Sequence, residues 1–174
     1  MDSGTDDRDV LFDIATNMTD DNLWHHWCFV IDVSTMSNCK VYIDGVSQSI
    51  NAYDNVGATD NWGNLIIGAN HVSSDATYSG FFGLIADAAV YEKLFTKEDV
   101  LTVYNSGNPF NHKEGPPGLV NDLVGWWRMG DGDENFSGTT IYDMSGNGKN
   151  GTFNTDETEP KWRGVVRDSA GDYT

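Results

Sequence analysis

Residues Leu23 to Val46 read LWHHWCFVIDVSTMSNCKVYIDGV, and this stretch decides the fold class. Trp27, Phe29, Ile31 and Val33 alternate with their neighbours, as side chains do along a half-buried strand. STMSN interrupts the pattern as a turn. Cys39, Val41 and Ile43 resume it, and Asp44-Gly45 supplies a tight hairpin turn. If Ile31 faces Val41, Cys39 lies on the apolar face and Cys28 on the other. Cysteines on opposite faces cannot form a disulfide, so both are expected to be free thiols without a metal or redox role.

The same signals recur outward from this hairpin. Val10, Phe12 and Ile14 alternate as a strand, and Ser47 to Tyr53 can form another. LIIGA (Leu65 to Ala69) reads as a short buried strand, and FFGLIADAAVYEK (Phe81 to Lys93) as a long one. Thr96 then precedes Lys97, Glu98 and Asp99, with Val100, Leu101 and Tyr104 at helical spacing, which predicts one short helix near 97–105. NPFNHKEGPPG (Asn108 to Gly118) holds three of the four prolines and reads as a linker. Beyond it come a strand over Leu119 to Met129, a short strand at Ile141 to Asp143 and a glycine- and asparagine-rich turn. Many short strands with frequent turns indicate an all-β protein, an antiparallel two-sheet β-sandwich of jelly-roll type.

The chain has 174 residues, enough for one such domain, with a net charge of −17 and a pI of about 4.2. That surface repels phosphate backbones and anionic lipid heads, so neither nucleic acid nor a membrane surface is an expected partner. No run of 18 apolar residues occurs. The start, MDSGTDDRDV, lacks the basic and apolar regions of a signal peptide. A virion component released by host lysis fits these features, with an extracellular location as the alternative.

Several segments together carry a family resemblance. The hairpin resembles the centre of laminin G-like and pentraxin-like domains of the concanavalin A-like fold, where W-H starts a strand and VYIDG ends its partner. LIIGAN (Leu65 to Asn70) resembles the strand that follows, and FFGLIADAAVYEKLFTKEDVLTVYNSG (Phe81 to Gly107) the family's closing segment. LVGWWRMGDG (Leu123 to Gly132) and IYDMSGNGKNGTF (Ile141 to Phe153) resemble its opening segment. In this chain the closing segment comes first. Residues 1–108 therefore read as a C-terminal-type part, 109–118 as the linker, and 119–174 as an N-terminal-type part. The order fits a circular permutant, a domain completed by strand exchange with a neighbouring copy, or a piece of a tandem array.

The resemblance also implies candidate sites. Domains of this kind often hold a structural Ca²⁺ through oxygen ligands at loop tips, which points to Asp143, Asn147 and Asn150 in DMSGNGKN, with Asp87 facing that turn. The competing reading is a turn closed by its own side chains. Glycan binding would use exposed aromatic faces with nearby amides, for which Trp62, Tyr53, Asn70 and Tyr78 are candidates. His25 and His26 are expected to pack at a strand start. Glycosidase relatives carry alternating carboxylates on one strand. Here Glu92, Glu98, Glu114, Glu134, Glu157 and Glu159 fall in strand ends, helix or loops, so no enzyme is expected. The expected function is a viral structural protein, a phage capsid decoration or fibre module. Its partners would be virion subunits or further copies joined by strand exchange, and cell-surface glycans. A secreted carbohydrate-binding or adhesion module is the alternative.

Overall fold

The computed structural model describes residues 10–12, 23–32, 34–53, 65–70, 79–80, 83–129 and 140–152. Eleven strands are present among them. They are β1 (Val10–Phe12), β2 (Trp27–Val30), β3 (Lys40–Ile43), β4 (Val46–Gln48), β5 (Ile50–Tyr53), β6 (Ala69–Asn70), β7 (Ser79–Gly80), β8 (Ala88–Tyr91), β9 (Leu123–Trp127), β10 (Thr140–Ile141) and β11 (Gly151–Thr152). Two short helices join them, α1 (Lys97–Tyr104) and α2 (Pro117–Val120). Every strand pair is antiparallel. No helix among the described residues is long and apolar enough to cross a membrane. The chain divides into two compact units, one of residues 1–61 with 93–110 and the other of 62–92 with 111–174.

The first unit contains the three-stranded sheet β2-β3-β4 and the pair β1-β5. Phe29, rather than Ile31, faces Val41, and Cys28 faces Tyr42. The shift is two residues, so the assignment of faces survives, and both thiols are free. Its cause is Asp32. The Asp32 carboxylate accepts the backbone N–H groups of Ser34 and Thr35 and the amide N–H of Asn38, which ends β2 early and ties residues 34–38 back to Asp32. The next turn follows expectation. Asp44 and Gly45 take φ 50° and 74°, the left-handed pair that suits a two-residue hairpin.

Helix α1 is coded locally. The Thr96 hydroxyl accepts the Asp99 backbone N–H at 3.2 Å, and the Asp99 carboxylate accepts the Thr96 backbone N–H at 2.9 Å. This capping box satisfies two donors that a helix start leaves open, and Asn105 in the left-handed region closes the other end. The helix buries Val100 and Val103, and the strands bury Val41 and Ile43.

In the second unit, β8 pairs with β9, β6 with β7 and β10 with β11. Three expectations need correction. Leu65, Ile66 and Ile67 are exposed instead of forming a buried strand, because Gly68 takes φ 81° and turns the backbone out of the extended form before β6. Within the described part of the strand expected over 81–93, residues 83–87 are not strand and β8 begins at Ala88, since Asp87 sits at φ 52° immediately before it. The strand expected from Leu119 begins only at Leu123. Pro117 at the first helical position opens α2, a second helix beyond the one expected. Leu119, Leu123 and Trp126 are buried, together with His112, which is 4% exposed.

Candidate functional site

The second unit holds the densest polar cluster among the sequence-predicted positions, and Asp143 is its centre. Both carboxylate oxygens are fully engaged. Oδ1 accepts the backbone N–H groups of Trp126 at 3.0 Å and Ser145 at 2.9 Å. Oδ2 accepts the Ser145 hydroxyl and the Lys149 backbone N–H, each at 2.8 Å. Burial pushes the Asp143 carboxyl up, but these four donors outweigh it and hold it below the usual carboxylate range. Asn150 Oδ1 accepts the Asp143 backbone N–H at 3.0 Å. The Asn147 side-chain amide donates to the carbonyls of Leu123 at 2.7 Å and Val124 at 3.1 Å.

These contacts fasten the 143–150 turn along one edge of β9. The Trp126 carbonyl accepts the Met144 N–H at 2.7 Å, and the Trp127 indole donates to the Lys149 carbonyl at 2.7 Å. The other edge of β9 is taken by β8. Among the described residues, the turn thus stands where a strand neighbour would lie and covers β9 against strand addition on that side. Asp87 is joined to the cluster through Trp126. Its Oδ1 accepts the indole N–H at 3.1 Å, while the backbone N–H of the same tryptophan goes to Asp143.

The structure therefore brings Asp143, Asn147 and Asn150 together and links Asp87 to them through one residue. The donor set does not fit a cation in this arrangement. The Asp143 oxygens, Asn150 Oδ1 and Asp87 Oδ1 face N–H or O–H donors, and Asn147 presents its donor end to the strand. An ion would have to displace those donors before it could collect oxygen ligands. Among the described residues no group of three or more histidine, cysteine, aspartate or glutamate side chains is placed to hold a metal ion.

Trp62 and Tyr78 lie outside the described residues. Tyr53 is the last residue of β5, opposite Val10, and Asn70 the last of β6, opposite Ser79, and their side chains likewise lie outside the described set. In the first unit, His25 Nδ1 is 2.7 Å from Asp44 Oδ2, and Asp44 Oδ1 accepts the His26 backbone N–H at 2.9 Å. The His26 ring packs against Tyr104, and burial outweighs the attraction of Asp44 to lower its pKa. Both histidines are thus packed at the strand start.

Two contributors were not singled out from sequence. The sequence marks Asp44 only as a turn residue, although its carboxylate holds both histidine positions. His112 falls in the segment whose prolines and glycines read as a linker, yet it hydrogen-bonds the Tyr91 hydroxyl and sets its ring edge-on to Trp126, 5.2 Å between centroids. A polar residue flanked by proline and glycine carries no periodicity that would reveal such burial.

A family model described as the concanavalin A-like lectin/glucanases superfamily, of laminin G type, matches residues 2–101. The chain belongs to this superfamily. No curated protein and no solved structure matches it. The match spans the hairpin and runs into α1, and together with the antiparallel strands it assigns the all-β sandwich class. The concanavalin A-like superfamily is named for both lectins and glucanases, so membership fixes the fold and leaves the function to be argued from residues.

Proposed function

We propose that this concanavalin A-like domain is a non-catalytic structural module of a virion surface, a phage capsid decoration or fibre module that joins subunits and adheres to glycans. The observation that supports it is the β8–β9 pair. It sets the closing-type segment edge to edge with the opening-type segment, although the chain order is reversed. The same pairing made between copies would link subunits by strand exchange. Glycoside hydrolysis requires a carboxylic acid kept protonated by a raised pKa. Asp32, Asp99 and Asp143 are each held below the usual carboxylate range, so none of these three suits that role.

Light scattering and native mass spectrometry test the assembly reading. We expect a species larger than one chain, with a mass that depends on concentration. A stable monomer that binds sugars would replace it with the second reading, a secreted carbohydrate-binding module, which the superfamily's lectin members favour.

A further inference from the structure

We infer that a groove in the first unit binds a sugar bearing a carboxylate, an inference that rests on the glycan-adhesion part of the proposed function. The groove has a volume of about 420 Å³ and lies between the end of β2, the start of β3 and the residues leading into α1. That falls within the usual size of small-ligand sites. Its floor is the buried pair Val30 and Phe95, and Leu94 stands exposed beside them. Such a surface suits the C–H face of a sugar ring.

The polar rim carries the specificity. Lys40 and Lys97 both line the groove, and the side-chain ammonium of neither forms an ion pair or hydrogen bond with a described residue. In a chain with 27 acidic and 10 basic residues, two lysines at one groove without a carboxylate partner run against the prevailing charge. The groove's own carboxylate, Asp32, is already occupied by three N–H donors. One of them is the Asn38 amide, which leaves the amide oxygen to accept a sugar hydroxyl. A long polyanion would be repelled by the net charge of −17, whereas a single carboxylate on a neutral polyol meets two lysines against the one aspartate of the groove.

Calorimetric titration of the full chain with glucuronate, glucose and acetate tests this. We expect glucuronate to bind about tenfold or more tightly than glucose or acetate, the scale of one charge-assisted hydrogen bond, and to weaken as salt is added. The double substitution Lys40→Ala and Lys97→Ala should remove that preference while leaving the melting temperature unchanged, since both side chains are exposed. Equal binding of glucose and glucuronate, equal binding of acetate, or unaltered binding by the double variant would each overturn the inference. Absence of glucuronate binding alongside a positive glycan array would overturn the groove alone. Absence of any glycan binding would overturn the adhesion reading with it.

Discussion

Oδ1 of Asp143 accepts the backbone N–H of Trp126 at 3.0 Å, and this bond fixes a turn to the middle of a strand distant from it in sequence. Trp126 is also the residue whose indole reaches Asp87. A single tryptophan therefore couples two acidic side chains, one through its backbone and one through its ring. The pattern DMSGNGKN thus works as an edge cover for β9, assembled from one carboxylate and two amides. It is a structural use of residues whose types would equally suit ion binding.

Asp143 makes stability pH-dependent. Its folded-state pKa is depressed, so its contribution is present above the unfolded value of about 3.9 and is lost as pH falls through the lower folded value. We expect wild-type stability to drop below about pH 4. Asp143→Asn should be less stable at neutral pH and flatter across the acid range. Asp143→Ala leaves the Trp126, Ser145 and Lys149 N–H groups without this acceptor. It should cost about 1–3 kcal/mol, at the modest end because the turn is partly exposed to water. Thermal melts of the three proteins from pH 2 to 8 check this, and parallel pH profiles would contradict it.

The legible parts of the fold were those coded by neighbours in sequence. Alternation marks the hairpin, Asp44-Gly45 sets its turn, and Thr96 with Asp99 writes the start of α1 three residues ahead. What failed depended on partners elsewhere or on single backbone angles. LIIGA has a strand's composition, but Gly68 at φ 81° breaks it. Pro117 reads in sequence as punctuation within a linker, whereas at the first helical position it opens α2. In DMSGNGKN the oxygen-bearing side chains were legible. Their donors were not, because Trp126 supplies a backbone N–H that no pattern advertises.

Gly45 and Gly148 separate backbone strain from crowding. Both take positive φ, 74° and 71°. A Cβ on Gly45 would stand 2.8 Å from Leu101 Cδ2 and 3.2 Å from Tyr104 Cδ1, while one on Gly148 meets nothing within 4 Å. Gly148→Ala should cost about 1–2 kcal/mol, the penalty of a left-handed alanine. Gly45→Ala should cost that and more, because the side chains of α1 must move to admit the methyl group. Melting temperatures of the two variants decide it, with about 2–4 °C expected per kcal/mol. Equal losses would mean that α1 yields freely at Leu101.

The two cysteines should be inert in the folded chain. Burial pushes the Cys28 thiol up to about 11, so at pH 8 only about one molecule in a thousand carries the reactive thiolate. Cys39 is buried, and its sulfur is engaged by the backbone of Asp32. Iodoacetamide at pH 8 should label neither until denaturant is added, and both thereafter. A native cross-link between them under mild oxidant, seen as the loss of two hydrogens by mass, would contradict their placement on opposite faces.

The Asp143 turn should need no ion. Calcium requires six to eight oxygen ligands at about 2.3–2.6 Å. Here the carboxylate is saturated by four N–H and O–H donors, and Asn147 directs its amide N–H groups at the carbonyls of Leu123 and Val124. Binding an ion would release those donors and free the edge of β9, so the gain would be offset by lost hydrogen bonds. We therefore expect the same melting curve with millimolar calcium and with chelator. A calcium-dependent rise that vanishes in Asp143→Asn would establish an ion site at this turn and would mean that its hydrogen bonds rearrange to admit the ion. A rise that survives Asp143→Asn would place the ion among residues other than these.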